Sequence, residues 1–128
     1  TALGLSPNAF GLHMATAAYS DGGAAWLDAL VKYLDGNRKL FDAGINAIPG
    51  LKSMQLEATF LAWVDFDAIG MSSEEIHRRI TSDARLVPSP GKIFGLEGNS
   101  WCRFNIGAPA SVITEAVARL QAAFADLQ

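Results

Sequence analysis

From Trp26 to Ile48 the apolar residues Trp26, Leu27, Leu30, Val31, Leu34, Phe41, Ile45 and Ile48 recur at helical spacing, and Pro49-Gly50 closes the run. This stripe predicts one long helix, or two in line across Gly36. Upstream, Ser6 as N-cap and Pro7 at the first helical position predict an opening helix through the small-residue run from Phe10 to Tyr19. That helix should end before Asp21-Gly22-Gly23, which reads as a hinge or cap.

Downstream of Pro49-Gly50, Met54 to Leu56 and Thr59 to Phe66 are aromatic or β-branched enough to predict two strands. Ser72 and Glu75 have capping-box spacing at the head of a short amphipathic helix from Glu74 to Ala84, with Ile76 and Ile80 on its inner face. Leu86-Val87 fits a short strand, while Pro88, Pro90, Gly91, Gly95 and Gly98 predict a loop. Trp101 to Ile106 alternates as a strand does, and Val112, Ile113, Val117, Leu120, Phe124 and Leu127 line a final helix. This order predicts an α/β (α+β) sandwich, with helices covering one side of a small mixed sheet and a long connecting helix before it. The small residues Ala15 to Ala18 suit close packing of the opening helix against another body, a larger domain or a second subunit.

A chain of 128 residues holds one hydrophobic core comfortably, and a second independent domain would be cramped. A formal net charge of -3 leaves no broad positive field for nucleic acid or an anionic membrane surface. No apolar run approaches the roughly 20 residues of a membrane helix, and no charged-then-apolar leader opens the sequence. The expectation is a soluble, cytoplasmic protein. Cys102 is the only cysteine, which excludes an internal disulfide and a cysteine-rich zinc site and fits a reducing compartment. The opening Thr1-Ala2-Leu3-Gly4-Leu5 lacks an initiator Met and predicts a piece of something longer.

Few residues offer catalytic chemistry. Nucleophilic catalysis needs a base in reach, yet the only histidines are His13, read as a packing residue, and His77, read as part of a solvated helix face beside Arg78 and Arg79. Glu74 and Glu75 are helix neighbours that point apart, and the helix dipole accounts for an acidic first turn. Gly22-Gly23 is too short for a phosphate cradle, and the glycines at 91, 95 and 98 match no nucleotide-binding spacing. Strand alternation sends Cys102 to the face opposite Arg103, as a buried inert thiol. Arg103 stands in an otherwise apolar strand, which is costly unless its planar fork meets an anion or a carbonyl cluster. An internal ion pair with Asp65 or Asp67 and an anion-binding site satisfy that need equally.

Read in order, Ala17-Ala18-Tyr19, Trp26-Leu27-Asp28-Ala29-Leu30, Tyr33-Leu34, Gly36-Asn37-Arg38, the stretch from Glu57 through Trp63, and Arg103-Phe104-Asn105 resemble the class I and II aminotransferases. Within that superfamily the chain is most similar to the cystathionine β-lyase-like carbon-sulfur lyases. Their small domain carries a similar Trp-Leu-Asp-Ala-Leu helix, a Glu-Gly-Thr-Tyr-Leu-Ala-Trp strand, and a Phe-Gly pair ahead of an Arg-x-Asn strand. The resemblance covers nearly the whole chain. Three departures stand against the lyase in particular: Ala58 for the family's Gly, Phe60 for its Tyr, and Ala108-Pro109-Ala110 for its Cys-Pro-Arg.

The resemblance implies the C-terminal part of a fold-type-I pyridoxal-phosphate enzyme, with residues 1–20 a remnant of the large cofactor domain and 21–128 the small domain with the long interdomain helix. It implies that Arg103 binds the α-carboxylate of an amino-acid substrate and that Phe94 walls the substrate pocket. Lys92 is not the Schiff-base lysine, which in the family lies upstream in the large domain with most cofactor contacts. The chain alone is then expected to hold no catalytic, cofactor-binding or metal-binding residue, to bind no pyridoxal phosphate and to be inactive. The intact parent would be a homodimer, either a lyase that releases a thiol from an L-cysteine S-conjugate or an aminotransferase. The alternative from another class is a non-catalytic α/β binding module in which Arg103 serves an internal ion pair.

Overall fold

The computed structural model describes residues 6–95 and 99–127. The first five residues of the expected large-domain remnant, and Gly98 of the expected loop, lie outside the described residues. The chain divides into two compact units, one ending at Tyr33 and the other beginning at Leu34.

The first unit holds α1 (Ala9–Ala18) and the opening turns of α2 (Asp21–Asn46). Asn8, not Ser6, caps α1: its side-chain oxygen accepts the Gly11 N–H at 2.6 Å. Asn is as good an N-cap as Ser, and the two-residue shift puts Pro7 ahead of the helix. Asp21-Gly22-Gly23 is no hinge but the first turn of α2, where the Ser20 hydroxyl accepts the Gly23 N–H at 3.2 Å. A Cβ on Gly23 would lie 2.1 Å from the Ala18 carbonyl oxygen, so only glycine lets the two helices join this closely. Phe10, Leu12, Met14, Tyr19, Trp26, Leu27 and Val31 are all exposed. His13 is exposed too, contrary to the packing role expected of it.

In the second unit α2 continues unbroken past Gly36 and buries Phe41 and Ile45. Four strands follow: β1 (Lys52–Ser53), β2 (Leu61–Asp65), β3 (Ser89–Pro90) and β4 (Trp101–Asn105), in the order β1-β2-β4-β3. Among the described residues every pairing is antiparallel, so the sheet is antiparallel and not mixed. Each connection between paired strands returns the chain to the end it left, the geometry of an antiparallel ladder. The expected strand at Met54 to Leu56 does not form. After one bond from the Met54 N–H to the Trp63 carbonyl at 2.9 Å the chain leaves the ladder, and Thr59 at φ 68° turns it back into β2. The edge strand also begins later than Leu86-Val87: Arg85 at φ 54° interrupts extended backbone there, and Pro90 is tolerated because β3 lies at the sheet edge.

Two helices complete the unit, α3 (Ser73–Arg78), extended by a wider turn over Arg79–Asp83, and α4 (Ala110–Ala123). Ser72 caps α3 by accepting the Glu75 N–H at 3.2 Å. Phe41, Ile45 and Ile48 from α2 and its end, Ile76 and Ile80, and Ile113, Val117, Leu120 and Phe124 share one core with Ala62, Val64, Cys102 and Phe104 of the sheet. Val112, one of the apolar residues expected to line α4, is exposed. Buried Asn37 ties α2 to the segment after β4 by donating to the carbonyls of Ile106 (2.9 Å) and Ala108 (2.8 Å). The helices thus cover one face of the sheet, and Leu61, Trp63 and Arg103 stand on the other.

Candidate substrate-carboxylate site

Period-two alternation along β4 buries Cys102 and Phe104 under the helices and turns Arg103 to the open face. Burial pushes the Cys102 thiol up to about 11, which leaves it protonated and inert. Arg103 occupies the middle of its row, opposite Trp63 of β2 on one side and Ser89 of β3 on the other. Its guanidinium carbon lies 4.5 Å from the centroid of the Phe94 ring, a cation–π contact. Phe94 reaches this place at the end of a 3-10 turn over Gly91–Phe94, next to Gly95 at φ 152°. Trp63 meets Phe94 edge-on, with centroids 5.2 Å apart, and Trp101 packs edge-on behind Trp63 at 6.5 Å.

Neither Asp65 nor Asp67 forms the expected ion pair. Asp65 accepts the Asp67 N–H at 2.9 Å, and Asp67 accepts the Ser100 hydroxyl at 3.1 Å. Among the described residues Arg103 has no carboxylate partner, and its one side-chain hydrogen bond is a long donation to the Ser89 hydroxyl at 3.4 Å. Arg103 also lines the adjoining cleft, so a fork of five N–H donors with one long bond among the described residues borders it. That cleft, of about 330 Å³, is walled by the segment from Met54 to Thr59 with Leu61 and Trp63.

Lys92 lies outside this cleft. It borders a separate cavity of about 230 Å³ with Glu74, His77, Asn99 and Trp101. Glu74 and Glu75 have structural employment. The Arg78 and Arg79 guanidinia hold the Glu75 carboxyl down to about 2, while the backbone N–H of Glu74 and the Ser72 hydroxyl lower that of Glu74. His77 is exposed, as its helix position predicts. No group of three metal-ligating side chains assembles among the described residues. Trp63 and Ser89 are site residues that sequence reasoning did not single out. The available signal was period two on β2 and β4, which places Trp63 and Arg103 on one face only once their register is known.

No family model matches the chain. The cystathionine beta-lyase PatB of Bacillus subtilis (strain 168) is 33% identical over 117 residues, covering 91% of this chain and 30% of PatB. The crystal structure of cystalysin from Treponema denticola, which contains a pyridoxal 5'-phosphate cofactor, superposes with a TM-score of 0.86 at 31% identity, covering 98% of this chain and 32% of that one. A PLP-bound putative aminotransferase from Clostridium difficile 630 gives a TM-score of 0.84 at 34% identity, over 91% of this chain and 30% of that one. The chain belongs to the fold-type-I aminotransferase superfamily. It spans about a third of the length of these relatives and matches their C-terminal part.

Members of this superfamily carry pyridoxal phosphate, yet the donor set on the open face does not fit that cofactor. Of the described residues lining the cleft Arg103 is the only cation, and none of them carries an amine that could bond an aldehyde carbon. What the face does fit is one carboxylate: a planar fork of N–H donors, a hydroxyl beside it and an aromatic ring behind it.

Proposed function

We propose that this chain is the small C-terminal domain of a pyridoxal-phosphate enzyme acting on amino acids, and that Arg103 binds the substrate's α-carboxylate. Residues 1–20 are the end of the large domain in this reading, and 21–128 the small domain with its connecting helix. One observation carries the assignment: Arg103 sits on the open sheet face over Phe94, with no carboxylate partner among the described residues. A buried-side arginine left this way would be costly, whereas a cleft arginine with its fork free is prepared for a bidentate anion.

The parent is a β carbon-sulfur lyase that releases a thiol from an L-cysteine S-conjugate, a choice supported by the similarity to PatB and cystalysin. The Clostridium difficile relative, 34% identical, favours an aminotransferase as the second reading. In either case the cofactor, held by the rest of the parent, supplies an electron sink for chemistry at the substrate's α-carbon. The role of this chain is to fix the carboxylate, and with it the orientation of the α-carbon. Alone, it is inactive. We place the parent in the cytoplasm as a homodimer, where the exposed apolar residues of α1 and early α2 would be covered.

The test is Arg103→Ala in the intact enzyme. Loss of two charge-assisted hydrogen bonds should raise KM for the amino acid about 10- to 100-fold while bound-cofactor absorbance persists. An unchanged KM would sink the carboxylate assignment. Thiol release from a cysteine S-conjugate, set against amino transfer to a 2-oxo acid, separates the lyase from the aminotransferase.

A further inference from the structure

Polar contacts do not hold the Arg103 guanidinium in place: its only side-chain hydrogen bond among the described residues is 3.4 Å long. A guanidinium has several rotatable bonds above the backbone, so a productive fork requires something else to set its plane. The Phe94 ring, with its centroid 4.5 Å away, offers such a surface. Phe94, however, is 49% exposed and sits on a short 3-10 turn, a poor anchor by itself. Trp63 is different. It stands mid-strand on β2, paired in register with Arg103, with Trp101 packed behind it. Its ring meets Phe94 at an interplanar angle of 72°, the edge-to-face arrangement that aromatic pairs favour.

We propose that Trp63 is a positioning residue for substrate-carboxylate binding: it holds Phe94, and Phe94 holds the plane of the Arg103 guanidinium. The rigid sheet thereby dictates the geometry of a fork whose own tether is flexible. This proposal rests on the carboxylate role of Arg103.

The test uses the intact enzyme and four variants. Trp63→Ala should raise KM for the amino-acid substrate about 3- to 10-fold with a smaller change in kcat, and Trp63→Phe, which keeps an aromatic edge, should restore most of it. Calorimetric titration with propionate, a carboxylate without an amino group, should show the same order of weakening without relying on turnover. In an Arg103→Ala background the further change Trp63→Ala should have no effect on either constant, because the group it positions is gone. Equal losses with and without Arg103, or no loss of propionate affinity in Trp63→Ala, would overturn the proposal while leaving Arg103 as the carboxylate ligand. An Arg103→Ala enzyme with unchanged KM and propionate affinity would remove that ligand role, and the role of Trp63 with it.

Discussion

The Arg103 guanidinium stacks on the Phe94 ring at 4.5 Å, and this pair joins an inner strand of the sheet to the 3-10 turn over Gly91–Phe94. Two segments some ten residues apart in sequence, one a strand and one a 3-10 turn, thus build a single cation–aromatic surface.

Removing the ring tests how much that contact contributes. Cation–π contacts are worth about 0.5–2 kcal/mol, so Phe94→Ala in the intact enzyme should raise KM for carboxylate substrates roughly 2- to 30-fold. Phe94→Tyr should stay near the parent value. Equal KM values for Phe94→Ala and the parent would show that the ring is only a pocket wall.

The chain alone should not take up the cofactor. Among the residues of the Arg103 cleft there is no lysine. Titrating pyridoxal phosphate into the isolated chain should give no yellow colour and no saturable one-to-one isotherm at equimolar concentration. Tight stoichiometric binding would mean that the cofactor's anchors are already present in this third of the relatives' length.

Asn37 is the buried polar residue whose loss should cost most. Replacing it with Ala strands the Ile106 and Ala108 carbonyls that it now satisfies. The expected loss is about 2–3 kcal/mol, seen as a Tm lower by roughly 10 °C. A Tm within error of the parent would show that water replaces both bonds.

Acid should weaken the packing of α3 against the C-terminal end of the chain. Arg78 and Arg79 lower the Glu75 carboxyl from 4.5 to about 2, and Arg79 also lowers that of Asp126. Both carboxyls are depressed in the fold, so their stabilisation is complete above the unfolded values and is lost as pH falls toward the folded ones. The urea midpoint should therefore fall between about pH 4.5 and pH 2, and less steeply in Glu75→Gln. These groups are exposed, so added salt should shrink the difference. Identical slopes for parent and variant would assign the acid response to other carboxylates.

Much of the fold was legible in local sequence. The helical period from Trp26 to Ile48, the Ser72 cap and the alternation of Trp101 to Asn105 each act over a few residues, and each appears where expected. Where local signals competed, composition alone did not choose between them. Ser6 and Asn8 are both capable caps, and the helix took Asn8. Met54 to Leu56 has strand composition but left the ladder to wall the cleft. Val112 and Ile113 are both apolar, yet α4 buries only Ile113 of the two.

Arg103 divides the same way. Its residue type, its place in an alternating strand and its Arg-x-Asn setting were set by the sequence, because period two sends it away from Cys102 whatever it pairs with. Which partner it meets was decided by the tertiary structure. Strand register placed Trp63 and Ser89 beside it, and a 3-10 turn brought Phe94 over it, while Asp65 and Asp67 found other donors. Register and loop path depend on the sum of packing across the whole core, which no local stretch of residues encodes.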